Sequence, residues 1–316
     1  MTEKNASCAY KTTIGGQALI EGIMMKGPKK IATVILKSDG SRAVREEAYT
    51  PAGEKNRLWK LPILRGVVAF GSSIKQGVSQ VMFSAEQLEI EEEPGRFERW
   101  LEKKVGSKKA EKFFMNLAVV LGIALPVLLF IFIPTVLAAI LDFFGLENIY
   151  FLRSLAEGLL RLLIFLGFIY FSSKMKDMKR VYGFHGAEHK AVYCYEAGEE
   201  LTVENVRRFS RFHPRCGTSF LFLTMIVSIL VFSFITVDHL VWRLVLRLLL
   251  LPLVAGLAYE ATRLAGRYDT AFTRILRAPG LALQRLTTVE PDDEMISVAI
   301  DALERVVPEE KGADQW

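Results

Sequence analysis

Four long runs of apolar residues stand out along the chain. They lie at Phe113 to Leu141, Leu155 to Ser172, Phe220 to Val237 and Leu244 to Tyr259. An apolar run of about 18 residues or more is long enough to cross the hydrocarbon core of a bilayer as a helix. The fourth run is the weakest of them, because Arg247 lies inside it. The pattern therefore predicts about four transmembrane helices.

The connections between the runs predict how these helices pair and which way they are oriented. Residues 142–153 and 238–243 form short connections, so consecutive helices are expected to pair as two hairpins. The segment between the hairpins, 173–219, is long and rich in Lys and Arg, whereas the short connections hold only Arg153 and Arg243. Excess Lys and Arg mark cytoplasmic loops. We therefore expect the middle segment and both termini to lie in the cytoplasm.

The polar parts of the chain carry shorter periodic patterns. Ile31 to Leu36 is apolar and β-branched, Ser38 to Ser41 is typical of a turn, and Arg42 to Tyr49 can return as a polar edge strand. Residues 58–84 carry apolar positions at roughly helical period, which predicts an amphipathic helix docked on the membrane. Asp292 to Val306 predicts a short amphipathic helix in the polar tail.

These patterns predict a mainly α membrane protein, with about four transmembrane helices in two hairpins plus a small cytoplasmic α+β portion. The expected divisions are a cytoplasmic N-terminal region with small β structure and an amphipathic helix (1–112), a first transmembrane hairpin (113–172), a cytoplasmic loop with a candidate metal site (173–219), a second hairpin (220–260) and a cytoplasmic C-terminal tail (261–316).

Composition supports a membrane protein and bounds its partners. Of the 316 residues, 51% are hydrophobic, and the mean hydropathy is +0.26, which is high for a soluble domain. A net charge of +5 is mild, so the basic residues are expected to mark cytoplasmic loops rather than a nucleic-acid surface. The expected partner is the lipid bilayer, with other membrane proteins or further copies of the chain left open. The three cysteines, Cys8, Cys194 and Cys216, lack disulfide spacing, which favours a reducing compartment.

The strongest candidate for chemistry is the segment His185-Gly-Ala-Glu188-His189. Two histidines four residues apart lie on one face of a helix, so both imidazoles can reach a single ion. Glu188 lies beside that face, where a carboxylate can act as general base. The order H-x-x-E-H is the inverted form of a zinc-peptidase motif.

A second motif, His213-Pro-Arg-Cys216, lies in the same predicted loop. Together the two motifs predict a divalent metal site, with zinc as the expected ion and His185, His189, His213 and Cys216 as candidate ligands. Four protein ligands would close the site and make it structural. Three ligands would leave one position open, and Glu188 would then be the catalytic residue. Cys194 is expected to be a small core residue.

Other residues suggest supporting roles. The glycine-rich segment around Gly15 and Gly16 either closes over the metal site, with Gln17 and Glu21 facing it, or is a tightly packed strand and turn. Charged residues inside apolar runs are costly unless paired, so we expect an ion pair between Glu157 and Arg247. Glu260 lies where it can reach the metal loop as a further ligand or as an acceptor for a ligand N–H.

Several of these motifs together resemble the bacterial YqhQ family, which consists of uncharacterised membrane proteins described as predicted metal-dependent enzymes. The residues that carry the resemblance are Gly15 to Met25, His185 to His189, His213 to Phe220 and Thr287 to Asp293. The resemblance covers nearly the whole chain. It implies a multi-pass protein of the bacterial plasma membrane, and it supports a metal site without implying a reaction.

Two hypotheses follow for the function. In the first, the protein is a zinc-dependent hydrolase at the cytoplasmic membrane face, acting on a peptide or a lipid-linked substrate. In the second, it is a non-enzymatic scaffold or regulator with a structural zinc site. The first predicts an open ligand position facing a cavity with Glu188 beside it, and the second predicts four protein ligands and no cavity. Transport is a third interpretation, but four helices offer a poor polar path.

Overall fold

The fold was analysed in a computed structural model of the chain. It describes residues 10–88, 100, 103–104, 106–140, 150–237, 239–310 and 312–315. The described chain is mainly helical, as the sequence predicts, and its small β portion is one four-stranded antiparallel sheet. The first interhelical connection lies mostly outside the described residues, as does Cys8.

The sheet has the strand order β1-β2-β3-β4. Its strands are β1 (Gly15–Leu19), β2 (Gly22–Lys26), β3 (Lys30–Leu36) and β4 (Arg42–Ala48). The predicted strand–turn–strand pattern is confirmed by β3 and β4, which pair from Lys30 with Ala48 to Leu36 with Arg42. The glycine-rich segment forms the β1–β2 hairpin.

The helices follow the sheet in chain order. They are α1 (Ala52–Lys55), a 3₁₀ turn (Arg57–Lys60), α2 (Leu64–Gln87), α3 (Ser107–Val127), a π turn (Leu128–Phe132), α4 (Ile133–Ile140), α5 (Tyr150–Ser172), α6 (Lys176–Glu196), α7 (Val203–Arg207), α8 (Gly217–Phe232), α9 (Leu240–Arg267), α10 (Ala271–Thr287) and α11 (Asp293–Glu304). The predicted amphipathic helices correspond to α2 and α11.

Three helical segments among the described residues are long and apolar enough to cross a membrane: Asn116–Ile140, Leu152–Ser172 and Leu240–Arg267. The third predicted run forms only the 16-residue helix α8, whose length is about 24 Å at 1.5 Å per residue. This helix ends at Phe232, and β-branched residues follow it at Ile235, Thr236 and Val237, where helix propensity is low.

Contacts divide the chain into two compact units. One comprises the described parts of Met1–Leu88, Gly167–Ser228 and Leu250–Trp316, and the other those of Glu89–Leu166 and Ile229–Leu249.

In the first unit, the sheet is covered on both faces. Because side chains alternate along a strand, Ile23 and Met25 pack with Phe184 of α6 and Ile296 of α11, whereas Met24 belongs to a second cluster on the other face. Leu19, Ile31 and Ile35 join that second cluster, and Phe83 of α2 packs against it. The sheet therefore forms a layer with α6 and α11 on one face and α2 on the other.

The second unit contains a buried charge network. Glu157 forms ion pairs with Arg247 and with Arg161, the latter at 3.1 Å, so the expected Glu157–Arg247 pair is confirmed. Pro134 lacks an N–H, so it cannot donate to the carbonyl of Phe130 one turn earlier. Arg161 Nε donates to that carbonyl oxygen at 2.7 Å and replaces the missing helical bond. Arg161 is thus bonded to the Glu157 carboxylate and to the carbonyl that Pro134 leaves without a helical donor.

Candidate metal site

Helix α6 carries the first motif. It begins at Lys176 and ends at Glu196. Gly198, just after its C-terminal end, has a φ of +71°, a backbone conformation that favours glycine. His185 and His189 lie one turn apart on the same face, and the centroids of their rings are 4.4 Å apart. The predicted pairing of the two imidazoles is therefore present.

Cys216 completes a cluster with these two histidines. It immediately precedes α8, and its Sγ lies 3.1 Å from Nε2 of His185. One ligand atom from each of His185, His189 and Cys216 lies within 4.8 Å of the other two. Zinc bound to nitrogen and sulfur at its usual bond lengths holds neighbouring ligand atoms about 3.5 Å apart. The three side chains are thus close to the arrangement that a single ion requires.

Backbone carbonyls orient both imidazoles. His185 Nδ1 lies 2.7 Å from the oxygen of Thr287, and His189 Nδ1 lies 2.5 Å from the oxygen of Arg211. A carbonyl oxygen only accepts, so each Nδ1 must carry the proton, and each Nε2 keeps its lone pair when the ring is neutral. Metal-binding histidines are usually held in this way through their second nitrogen.

Glycines in α6 allow the carbonyl of Thr287 to approach. A Cβ on Gly186 would overlap the carbonyl oxygen of Val289, and a Cβ on Gly183 would lie 2.7 Å from Sδ of Met295. The segment after α10 therefore lies directly against α6. This close approach brings Thr287 to His185, which links the tail of the chain to the cluster.

The sulfur of Cys216 has the environment of a thiolate. Thr218 donates to it from its backbone N–H at 3.5 Å and from its hydroxyl at 3.4 Å. Burial raises the pKa of Cys216, but the charges and hydrogen bonds of His189 and His185 outweigh burial and hold the pKa well below its usual range. Burial lowers the pKa of His185, yet its hydrogen bond to Cys216 and the charge of that sulfur raise the pKa to about 9.

This donor set fits a zinc ion. Two imidazole nitrogens, whose lone pairs are available when the rings are neutral, and one thiolate are ligands that zinc prefers, and three protein ligands are typical of catalytic zinc sites. Among the described residues, no fourth side chain joins the cluster of potential ligand atoms.

His213 is the predicted ligand that the structure places outside this cluster. Its Nε2 lies 3.6 Å from Oε2 of Glu196, and its backbone N–H donates to Gln284 at 2.8 Å. Burial lowers the pKa of His213 to about 4, despite the hydrogen bond to Glu196. Arg215 also forms an ion pair with Glu196. His213 and Arg215 therefore connect the loop that leads to Cys216 to α6.

Glu188 lies beside the cluster and contacts the sheet. Its Oε1 accepts a hydrogen bond of 2.8 Å from the N–H of Gly16 in β1. A Cβ on Gly16 would lie only 3.1 Å from the Glu188 carboxyl carbon and closer still to the backbone of Met24, so this approach requires glycine. Burial raises the pKa of Glu188, although the nearby histidines oppose the shift. A carboxyl with a raised pKa is suited to accepting and returning a proton.

A cavity of about 1120 Å³ opens onto the cluster. Its wall includes His185, Glu188, His189 and Cys216, together with most of β1. The glycine-rich segment is therefore a packed hairpin, the second of the two earlier interpretations, and Gly16 within it contacts Glu188. Gln17 also lines the cavity, whereas Glu21 pairs with Arg180.

The structure also shows where Glu260 and Cys194 lie. Glu260 does not reach the cluster, because its carboxylate accepts from Arg65 Nε at 2.6 Å and from the backbone of Ile63 at 3.2 Å. Cys194 is buried in the main core of the first unit, as expected. Sequence reasoning missed the roles of Thr287 and Arg211, since a backbone carbonyl leaves no signature in residue type.

Comparisons with known proteins place these observations in a family. Residues 61–309 match the model of a family described as protein of unknown function, DUF1385. The chain is 35% identical over 305 residues to "Uncharacterized protein YqhQ" of Bacillus subtilis (strain 168), which covers 95% of this chain and 94% of the relative. No solved structure matches the chain.

Proposed function

The chain belongs to the DUF1385 and YqhQ family of proteins without an assigned activity, and we propose that it is a zinc-dependent hydrolase anchored in the bacterial plasma membrane. The observation that carries the proposal is the convergence of one ligand atom from each of His185, His189 and Cys216 at the wall of a large cavity, with Glu188 next to them. In this proposal His185, His189 and Cys216 hold the ion, and Glu188 is the catalytic residue.

The coordination set supports a catalytic site over a closed structural one. A structural zinc site needs four protein ligands, and the fourth candidate, His213, lies outside the cluster, with its Nε2 3.6 Å from Glu196. A three-ligand site leaves a position open, and the cavity provides space for a substrate there.

The side chains suggest how hydrolysis would proceed. A zinc ion held by His185, His189 and Cys216 would supply Lewis acidity. Glu188 accepts a proton from the attacking water and returns it to the leaving group, and its raised pKa favours this exchange. The carbonyls of Thr287 and Arg211 hold the imidazoles in one tautomer throughout. Gly16 fixes the Glu188 carboxylate at the cavity wall.

The variant Glu188→Gln tests this proposal. The amide oxygen can still accept the Gly16 N–H, but it cannot carry the transferred proton, so we expect zinc to remain bound while hydrolysis falls by about 100-fold or more. Turnover of a panel of fluorogenic peptide and ester substrates, together with zinc content, measures both effects. Glu54→Gln is the matched control, because Glu54 lines the same cavity away from the cluster. Equal turnover by Glu188→Gln and wild type would exclude Glu188 as the base.

A second candidate function is a non-enzymatic scaffold with a structural metal. It is favoured by one observation: the cluster joins α6, the loop carrying Arg211 and Cys216, and the segment at Thr287 through direct hydrogen bonds. Metal removal distinguishes the two functions. A scaffold loses its folded core when chelated, whereas a catalytic site loses turnover and keeps most of its thermal stability.

The membrane topology can be argued from the core of the first unit. Its apolar cluster contains Met25 from the N-terminal sheet, Phe184 from α6 and Ile296 from the tail. Segments that share one core lie on one side of a membrane, so the chain between any two of them must cross an even number of times. Asn116–Ile140 and Leu152–Ser172 provide one pair of crossings.

For the second pair, Leu240–Arg267 needs a partner, and α8 with the residues after it is the apolar segment available. We therefore propose that the chain crosses the membrane four times and that α8 is a short transmembrane helix. The basic segment between the hairpins favours the cytoplasm for the shared core, and thus for both termini.

A further inference from the structure

Strand β1 lies at the edge of the sheet and lines the cavity beside the candidate metal site. It has β2 as its neighbour on one side, and Gly15, Gly16, Gln17 and Ala18 all contribute to the cavity wall. An edge strand presents backbone groups that can pair with another extended chain.

The register shows which backbone groups of β1 face the open edge. The N–H of Gly27 donates to the carbonyl oxygen of Lys30 at 2.8 Å. Because hydrogen-bonding direction alternates along a strand, the backbone N–H and C=O groups at odd positions of β2 point toward β3, and those at even positions point toward β1. The even positions of β2 are paired with the odd positions of β1. Gly16 and Ala18 therefore direct their N–H and C=O groups away from the sheet, and the bond from Gly16 to Glu188 agrees with this direction.

Three polar groups remain available on this edge. The N–H of Gly16 is taken by Glu188, whereas the N–H of Ala18 and the carbonyls of Gly16 and Ala18 have no hydrogen-bond partner among the described residues. The candidate catalytic carboxylate is thus bonded to the same strand edge that offers these groups. A chain paired with this edge would run past Glu188.

We propose that the site binds an extended peptide, which pairs with the open edge of β1 at Gly16 and Ala18 and presents one of its peptide bonds to Glu188. This proposal rests on the proposed hydrolase function. Peptide backbone repeats its N–H and C=O groups with the spacing of the strand, so it satisfies all three free groups. An acyl chain would cover them without forming a hydrogen bond, which is unfavourable.

The reaction implied is peptide-bond hydrolysis. Water adds to the carbonyl carbon, the C–N bond breaks, and the proton accepted by Glu188 passes to the leaving amine nitrogen. The products are a carboxylate and an amine, and water is the only co-reactant.

Hydroxamates of matched length test the substrate class on the full-length, zinc-loaded protein. Isothermal titration compares acetyl-Ala-Ala-Ala-hydroxamate, its analogue with ester oxygens in place of the amide N–H groups, a fatty-acyl hydroxamate and acetohydroxamate. We expect the peptide to bind about tenfold more tightly than the ester analogue, because strand pairing requires its N–H groups.

The variant Ala18→Pro removes an outward N–H without breaking the β1–β2 ladder, since proline is tolerated on the open side of an edge strand. We expect it to weaken peptide binding by about three- to tenfold and to leave acetohydroxamate binding unchanged. Val44→Pro is the matched control: Val44 is exposed on β4, the opposite edge, and by register its N–H also points outward.

The outcomes separate the two proposals. Equal affinities for the peptide and its ester analogue, or tightest binding of the fatty-acyl hydroxamate, would overturn peptide pairing and indicate an acyl substrate. If acetohydroxamate does not bind, the metal-hydrolase function fails. In that case, metal-depleted protein is incubated with acetyl-Ala-Ala-Ala-amide, and amide hydrogen exchange is measured in residues 15–19. Slower exchange supports peptide pairing with β1, and unchanged exchange overturns it.

Discussion

For single residues, metal binding depends on which ring nitrogen of each histidine is free. Thr287 and Arg211 occupy Nδ1 of His185 and His189, and this leaves both Nε2 atoms for an ion. The sequence already predicts the two histidines, Cys216 and Glu188, because residue type and spacing carry that information. The carbonyls that orient the rings cannot be predicted, since they depend on how α6 packs against the tail.

His213 shows the limit of reading ligands from spacing. The H-x-x-C pattern makes it as good a ligand candidate as Cys216, but Glu196, 17 positions earlier on α6, lies next to its ring. A partner brought close by folding therefore decides the role of the histidine. Gly16 is a similar case, because its contact with Glu188 joins residues 172 positions apart.

We expect His213→Ala to keep bound zinc and His185→Ala to lose it. The first removes a side chain that contacts Glu196, and the second removes a ligand whose Nε2 faces Cys216. Zinc content of the purified variants, measured by mass spectrometry, distinguishes the two. Loss of zinc from His213→Ala, in a protein that still unfolds cooperatively, would indicate four ligands and favour the structural function.

For helices and strands, the hydrophobic pattern predicts the type of an element better than it predicts the element's length. The strands β3 and β4 and the helices α2 and α11 follow from periodicity, and turn residues mark their ends. Helix α8 is shorter than the apolar run that predicts it, because hydropathy does not register the β-branched residues after Phe232. A run can be apolar enough for a membrane and still not be helical along its full length.

Close helix packing in the first unit depends on glycines in α2 and α9. A Cβ on Gly66 would lie 2.7 Å from Cβ of Tyr259 and 2.9 Å from the backbone of Gly256. We expect Gly66→Ala to destabilise the protein by about 1–3 kcal/mol through overpacking. Gly71 in the same helix has nothing within 4 Å of an added Cβ, so Gly71→Ala should instead stabilise by about 1 kcal/mol.

Thermal unfolding in detergent measures both glycine variants against wild type. A lower Tm for Gly66→Ala and an unchanged or higher Tm for Gly71→Ala is the expected pair of results. Equal effects of the two substitutions would show that α2 and α9 do not approach each other closely at Gly66.

At the scale of the whole molecule, a shared core constrains membrane crossing. The N-terminal sheet, α6 and α11 contribute to one apolar cluster, so in the proposed topology the connections between them return to the same side of the membrane. Among the described residues, three helical segments are both long and apolar enough to cross a membrane, an odd number. The apolar runs of the sequence predict a fourth crossing, and the shared core is an independent argument for it.

Cysteine labelling tests this topology. Ser38→Cys and Glu309→Cys lie at exposed positions of the sheet and the tail, and His239→Cys lies at an exposed position between α8 and α9. With a membrane-impermeant maleimide, we expect only His239→Cys to react in intact bacterial cells, above the background of the parent chain. The other two should react after permeabilisation. Opposite accessibility of Ser38→Cys and Glu309→Cys would contradict an even number of crossings.

The zinc content of the purified protein shows directly whether His185, His189 and Cys216 bind a metal ion. Wild type and the double variant His185→Ala, His189→Ala are prepared in parallel without chelators and analysed by mass spectrometry of the elements, with His239→Ala as the control histidine outside the cluster. We predict one zinc per chain in wild type and in His239→Ala, and none in the double variant. Wild-type protein without stoichiometric metal, or a double variant that retains it, would contradict a metal site at His185, His189 and Cys216.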